Sequence, residues 1–282
     1  MATGQSPTFP RFQLGKQLRD LRERASLTTD DVASHMDCSA STISRIEGGK
    51  VGVRRSALIQ LMDLYRVTDV GHRETLLALA KQGKQRGWFA RYSDLPAAYS
   101  RFIGLEAAAF EMRDYEPLVV PGLLQTEEYA RALMQADPTG RDHPAIETAV
   151  RIRMERQDLL TQERPLRFIA VLDESVIRRM IGGPAVMHAQ LKHLVDLSEL
   201  RNVTIQVLPF SGGAYAGMAG SFAILDFRDA ASVVYAENLT GDIYQEADDV
   251  ARHSVIFENL RAAALSPLES IKMVDSAGNS VA

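Results

Sequence analysis

One short predicted helix combines small hydroxyl side chains with a single guanidinium on its outward side. Over residues 40–47 the apolar residues fall on one side of the helix. The other side holds Ser41, Thr42, Ser44 and Arg45. Short side chains let a helix enter a major groove, and a guanidinium donates two hydrogen bonds to one guanine. This pattern predicts a helix that contacts the bases of duplex DNA.

The flanking sequence predicts the helices that hold this one in place. A first helix is expected over residues 13–24, where leucines recur at helical spacing. Thr28–Asp31 form a capping box that opens a second helix, with Asp in place of the usual Glu. Ser39 then caps the helix over residues 40–47, and Gly48 with Gly49 ends it. Further helices are predicted over residues 56–65 and 71–84.

The segment from Leu27 to Lys50 resembles the Xre (Cro/repressor-like) helix-turn-helix family. The resemblance rests on the run S-x-S-x-I-S-R-I-E followed by glycine, which extends from Ser39 to Gly48. One departure is Asp37, in a turn where the family usually has glycine; Asp tolerates the left-handed conformation better than most residues do. The resemblance implies an all-α, lambda-repressor-like domain that binds double-stranded DNA.

Carried over position by position, the resemblance also implies roles for individual residues. The residues expected to contact bases are Ala40, Ser41, Thr42 and Arg45. Those expected to contact phosphates are Thr28, Thr29, Ser39, Ser44, Lys50, Arg54 and Arg55. Glu47 is expected to pair with Arg22 of the first helix and to fix the recognition helix as scaffold, without touching DNA.

Composition and charge favour a two-domain cytoplasmic protein. With 46% hydrophobic and 24% charged residues, the 282-residue chain has the composition of a globular protein. Residues 1–87 contain 14 Lys and Arg against 9 Asp and Glu, whereas residues 88–282 contain 18 against 27. We therefore expect a basic DNA-binding domain with its linker over residues 1–87, and an acidic domain over residues 88–282. Neither a membrane span nor a signal peptide is recognisable, and the single Cys38 excludes an internal disulfide.

The second part of the chain predicts a larger mixed α/β domain with a small sheet, so the whole protein is expected to be α+β. Helices are predicted over 97–113, 127–135, 146–161, 184–200 and 247–265, and strands over 166–172, 203–208, 221–227 and 232–236. The last eight residues are expected to be frayed. No order of the strands follows from the sequence.

This part resembles the uncharacterised domain that follows an Xre-type motif in many actinobacterial regulators. The stretches that carry the resemblance include Val120–Thr126, Arg153–Gln157, Leu172–Glu174 and Val207–Pro209. The resemblance implies a homodimer, and a small partner protein or a small-molecule effector as the signal. An alternative is an antitoxin-like protein that binds a small partner protein and uses DNA binding for autoregulation.

Two features of this domain leave a choice between a site and ordinary structure. Asp173, Glu174 and Glu237 follow strands, where a metal-dependent hydrolase would gather its carboxylates, but acidic residues at strand ends are common. We expect no enzyme, no metal and no cofactor.

The second feature is a loop before a predicted helix. This loop either lines a ligand pocket or partner groove, or packs its leucines into the core. Its candidate residues are Pro121, Leu123, Leu124 and Gln125.

Overall fold

The computed structural model describes residues 6–85, 87–92, 95–136, 142–236, 242–244 and 247–281. The described residues up to Ala108 form one compact unit, and those from Ala109 onward form a second. The first unit is all-α and the second combines helices with a sheet, so the predicted α+β class is confirmed. No helix in the described ranges is long and apolar enough to cross a membrane.

Within the described residues, the first unit contains six α-helices. They are α1 (Thr8–Arg24), α2 (Thr29–His35), α3 (Ala40–Glu47), α4 (Arg55–Leu64), α5 (Val70–Gln82) and α6 (Ala97–Glu106), with a 3-10 turn at Trp88–Arg91. The first five match the predicted helices closely, apart from α1, which begins five residues earlier than expected. Helix α6 packs against α1. The compact unit therefore extends beyond residue 87, where we had placed the end of the DNA-binding domain and its linker.

The core of the first unit joins α1 to α5 through one apolar cluster. Leu14 and Leu18 of α1 meet Val32 of α2 and Ile43 of α3, all of them buried. Leu58 of α4 and other residues of α4 and α5 complete the same cluster. Burial of each such side chain contributes about 1.5–3 kcal/mol before the conformational entropy is counted. The cluster therefore fixes α3 against α1 and α2.

The described part of the second unit is built on one six-stranded sheet in the order β3-β2-β1-β4-β5-β6. The strands are β1 (Glu111–Glu116), β2 (Arg167–Asp173), β3 (Val203–Leu208), β4 (Phe222–Asp226), β5 (Val233–Ala236) and β6 (Asp242–Tyr244). Strand β2 runs parallel to β1 and β3, whereas β4 is antiparallel to β1 and β5, and β6 is antiparallel to β5. The carboxyl ends of the three parallel strands therefore lie at one edge of the sheet, next to the start of β4.

Helices connect and cover these strands. They are α7 (Glu127–Gln135), α8 (His143–Arg156), α9 (Glu174–Arg178), α10 (Pro184–Leu197), α11 (Ala247–Ala263) and α12 (Pro267–Asn279), with 3-10 turns at Gly122–Leu124, Gln157–Leu160 and Phe210–Gly212. One sheet face packs on α11, where Phe257 and Leu260 are fully buried among sheet residues. Helix α12 lies against β3 and α10.

Several elements differ from the sequence prediction, among them α9, which was not predicted. The helix predicted over residues 97–113 ends at Glu106, and β1 follows it. Residues 275–279 of the tail predicted to be frayed belong to α12, which Ser266 and Glu269 open with a capping box. Strand β6 was not predicted.

Helix α12 has a clear structural role at the edge strand β3. The hydroxyl of Ser270 accepts a hydrogen bond from Val207 N at 2.9 Å and so protects the unpaired side of β3.

Candidate nucleic-acid interface

Helix α3 presents two chemically different sides. Ile43 is buried, whereas Ser41, Ser44 and Arg45 are exposed. Ala40 and Thr42 are half-buried beside them. Among the described residues, no hydrogen bond or ion pair holds the Arg45 side chain. This side of the helix therefore offers small hydroxyl groups and one available guanidinium to whatever approaches it.

The first turn of α3 is closed by a side-chain cap. Ser39 has extended backbone dihedrals, and its Oγ accepts a hydrogen bond from Thr42 N at 3.2 Å. The hydroxyls of Ser39 and Thr42 are also hydrogen-bonded to each other, with 3.0 Å between the two oxygens. The predicted N-cap is thus confirmed. Both hydroxyls lie at the helix N-terminus, where the helix dipole favours an anion such as a phosphate.

The turn before α3 and the turn after it have left-handed backbone conformations. Asp37 has φ of 49°, in the left-handed region. After the helix, Gly49 has φ of 66° and donates to Ile46 O at 2.9 Å, while Lys50 N donates to Arg45 O at 2.9 Å. These two hydrogen bonds form a Schellman motif. Both ends of α3 are therefore fixed by local hydrogen bonds.

A buried ion pair joins α3 to α1. The Arg22 guanidinium donates to Glu47 through Nε at 2.7 Å and through Nη2 at 2.9 Å. Its Nη1 donates to Leu27 O at 2.9 Å, and Leu27 is the residue before the N-cap of α2. The hydrogen bonds to Glu47 raise the pKa of Arg22, and burial opposes this effect. The ion pair holds the last turn of α3 in place, while the outward side of α3 remains free.

Gly15 was not singled out from the sequence, yet it allows α1 to approach α3 closely. A Cβ at this position would overlap the carbonyl oxygen of Glu47 and lie 2.6 Å from that of Ile46. An isolated glycine inside a helical pattern is the signal that points to such a site, because glycine costs about 1 kcal/mol relative to alanine in a helix. The absence of a side chain at Gly15 sets the distance between the two helices.

The start of α2 contains the predicted capping box. Thr28 Oγ1 accepts from Asp31 N at 3.1 Å, and Thr28 N donates to Asp31 Oδ2 at 2.8 Å. The Thr28 hydroxyl also donates to the Asp31 carboxylate at 2.6 Å. Both donors of Thr28 are therefore engaged, so a phosphate at this position would have to displace Asp31. Thr29 is the first residue of the helix, where backbone N–H groups lack intrahelical partners.

The basic residues after α3 are exposed in the structure. Lys50 is the last residue of the Schellman motif, Arg54 is the N-cap residue of α4, and Arg55 is the first residue of α4. None of the three side chains has a hydrogen bond or ion pair within the described ranges. They lie on the chain directly after α3.

The loop over residues 121–125 lies in the interior of the second unit. Leu123 and Leu124 have at most 1% of their surface exposed, and Pro121 is also buried. Gln125 donates to Val120 O at 2.6 Å and accepts from Arg153 at 2.7 Å. Of the two alternatives, packing into the core is the one that the structure favours. A partner would reach these leucines only after the loop had left the core.

The acidic residues after β2 serve the structure around them. Asp173 caps α9 through a hydrogen bond from Ser175 N at 2.8 Å, and it accepts a second one from Tyr215. Glu174 accepts from Arg178 and from Phe210 N. The described residues contain no group of three or more candidate metal ligands. Glu237, the third carboxylate considered, lies outside the described residues.

Two family models match the chain. A helix-turn-helix domain model matches residues 13–76, which contain α2, the Asp37 turn and α3. The geometry and this match place the first unit in the helix-turn-helix class and support a DNA-binding regulator. The second model, a domain of unknown function named DUF5753, matches residues 99–276. Since this match covers more than half of the chain, the protein belongs to the DUF5753 family.

A curated relative agrees with the first match. The HTH-type transcriptional repressor RghR of Bacillus subtilis (strain 168) is 50% identical over 46 residues, which are 16% of this chain and 34% of that protein. The match thus spans about a third of the relative's length. No solved structure matches the chain. The resemblance inferred from the sequence is confirmed for both parts of the protein by the two family matches.

Proposed function

We propose that the protein is a sequence-specific transcriptional regulator that binds DNA with α3 in the major groove. The observation that carries this proposal is the available Arg45 guanidinium on a helix whose two ends and inner side are fixed. Such a group pairs with a guanine without first breaking an internal contact, and one bidentate pair is worth about 1–3 kcal/mol of discrimination. Ala40, Ser41 and Thr42 lie beside it and complete the base-contacting surface.

The phosphate contacts come from the helix N-termini and from the basic residues that follow α3. Thr29, Ser39 and Ser44 are placed near the backbone of the duplex, and Lys50, Arg54 and Arg55 supply positive charge next to them. Thr28 belongs to this group only if it exchanges Asp31 for a phosphate. The basic balance of residues 1–87, 14 Lys and Arg against 9 Asp and Glu, supports a polyanionic partner.

The second unit dimerises the protein and receives its signal, which is a small molecule or another protein. Helix-turn-helix domains commonly bind paired half-sites one helical turn apart, so a two-fold dimer places two copies of α3 in successive major grooves. A signal changes DNA affinity only if it binds two arrangements of the dimer with different affinity. In this account the protein works in the cytoplasm on chromosomal DNA and has no catalytic role.

Selection of genomic fragments followed by footprinting tests this function. Purified full-length protein is mixed with sheared genomic DNA, the retained fragments are sequenced, and the strongest one is footprinted with hydroxyl radicals. We expect a sequence shared among the fragments and two protected half-sites separated by about 10 base pairs. Retention of fragments without a shared sequence, at an affinity equal to that for random DNA, would contradict the proposal.

A further inference from the structure

One edge of the sheet in the second unit has an unusual number of exposed apolar side chains. Of the eight large apolar residues exposed in the described part of the chain, four follow the parallel strands or precede β4 at this edge. They are Leu118 (61% exposed), Met180 (46%), Phe210 (59%) and Met218 (69%). We name the surface formed by residues 117–118, 173–180 and 209–220 the carboxyl-edge platform.

Hydrogen bonds between separate segments make this platform a fixed surface. Ser175 Oγ at the start of α9 donates to Pro117 O at 2.7 Å, which joins the loop after β1 to α9. Phe210 N donates to Glu174 Oε2 at 2.9 Å, which joins the turn after β3 to the same helix. The loops that present Leu118 and Phe210 are therefore tied to one short helix.

The loop before β4 is tied to the same edge by a chain of three side chains. Tyr115 OH donates to Tyr215 OH at 3.1 Å, and Tyr215 OH donates to Asp173 Oδ2 at 2.7 Å. Gly217 packs directly on the Tyr115 ring, because a Cβ there would lie 2.6 Å from Tyr115 Cε1. Met218 is the next residue along the chain. Its exposure is thus a property of an anchored loop.

The charge of the platform differs from that of the domain that bears it. Residues 88–282 contain 27 Asp and Glu against 18 Lys and Arg. The segments 117–118 and 209–220 contain no charged residue, and residues 173–180 contain two acids and two arginines. A strongly charged partner would find no complementary field on this surface. Two copies of the acidic domain, in contrast, meet here without juxtaposing their excess negative charge.

The size of the platform also fits a contact between two copies. Its three segments comprise about 20 residues, the number that one side of a stable interface supplies. The apolar side chains project outward from loops, and an outward-pointing apolar surface is covered by another macromolecule. In a two-fold interface the same surface of both copies meets, so this surface must be complementary to itself. An apolar centre flanked by both acidic and basic side chains meets this requirement.

We propose that the carboxyl-edge platform is the surface through which two copies of this chain dimerise. This inference rests on the proposed function, which requires a dimer, and adds where the dimer forms. Leu118, Phe210 and Met218 form the apolar contact, with Met180 beside them. Arg178 and Arg179 lie next to it, where they meet acidic groups of the other copy.

Sedimentation of the full-length protein over a wide concentration range tests the inference. The test variant is Leu118→Ser/Phe210→Ser, and its matched control is Val255→Ser/Leu268→Ser, which changes two residues of 63% and 67% exposure on α11 and α12. We expect the wild type and the control to be dimers with the same dissociation constant. The test variant should dissociate about 100-fold more readily, with an unchanged far-ultraviolet circular dichroism spectrum that shows the fold to be intact.

Two results would overturn the inference. One is a test variant that dimerises as tightly as the wild type or as the control. The other is a wild-type chain that stays monomeric at every concentration, which would leave the platform to a different partner. Failure of the proposed function would give a different result. The wild-type protein would then retain no specific DNA sequence, although its dimerisation would still depend on Leu118 and Phe210.

Discussion

Arg22 donates two parallel hydrogen bonds to Glu47, at 2.7 and 2.9 Å, and so fastens the last turn of the recognition helix to α1. The contact lies on the side of α3 that faces away from Arg45. The helix is thereby oriented from its inner side, and its outward side is left free for the DNA contacts that we propose. This division of roles leads to the following predictions.

Removing both members of this pair should cost less than the two single removals added together. Glu47→Leu or Arg22→Met leaves a largely buried charge without its partner, so each should lower the free energy of unfolding by about 3 kcal/mol or more. The double variant should lose less than the sum of the two. Urea unfolding of all four proteins measures this coupling. If the losses in free energy of unfolding were additive, the interaction between Arg22 and Glu47 would contribute nothing to stability.

Gly15→Ala should destabilise the first unit although alanine is the better helix former. The new Cβ would lie 2.6 Å from Ile46 O, and overpacking of this kind costs about 1–3 kcal/mol. Gly71→Ala in α5 is the matched control, since its nearest contact would be at an ordinary 3.5 Å. In thermal unfolding the control should be neutral or stabilised. A stabilised Gly15→Ala protein would refute the close approach of α1 to α3.

Asp31 should make stability depend on pH. Hydrogen bonds from Thr28 lower the pKa of its carboxyl group in the folded protein. Its contribution is therefore complete above the unfolded pKa of about 4, and it is lost as the pH falls through the folded value. Asp31→Asn should be less stable than the wild type at neutral pH and should approach it in acid. Asp30→Asn serves as control, and an Asp31→Asn deficit that persists unchanged in acid would count against this mechanism.

DNA affinity should fall steeply with salt. A dimer that places Lys50, Arg54 and Arg55 on the backbone neutralises about six phosphates, which gives a slope of about −5 for the logarithm of affinity against that of salt. Affinity should then drop about 10³-fold between 50 and 200 mM salt. Fluorescence anisotropy measures the slope, and Arg54→Ala/Arg55→Ala should reduce its magnitude. A slope near zero for the wild type would contradict the proposed contacts between these basic residues and the DNA phosphates.

The sequence predicted the DNA-binding unit well because its signals are local. Thr28, Ser39, Gly48 and Gly49 specify the beginnings and ends of helices through contacts within a few residues, and the structure forms those contacts. Asp37 takes the left-handed conformation that its place in the turn requires.

The second unit was predicted less well because its elements depend on distant partners. Strand β1 has the sequence EMRDYE, whose charged residues are not typical of a central strand; its position between β2 and β4 makes it one. For Leu123 and Leu124 the sequence left burial in the core and a ligand or partner surface as two open alternatives, since burial of a loop depends on the elements around it. Helix α12 was missed although Ser266 and Glu269 provide a recognisable capping box.

The most direct test of the central claim, that Arg45 contacts a base in the major groove, is methylation protection at guanine N7. On the strongest genomic site, the wild-type protein should protect guanines in both half-sites. Arg45→Ala should lose protection at one guanine in each half-site and bind that site about 10–100-fold more weakly, while its affinity for random DNA changes little. Arg24→Ala, another exposed arginine, should behave as the wild type. An Arg45→Ala protein with unaltered protection, or with equal losses on both kinds of DNA, would contradict the account.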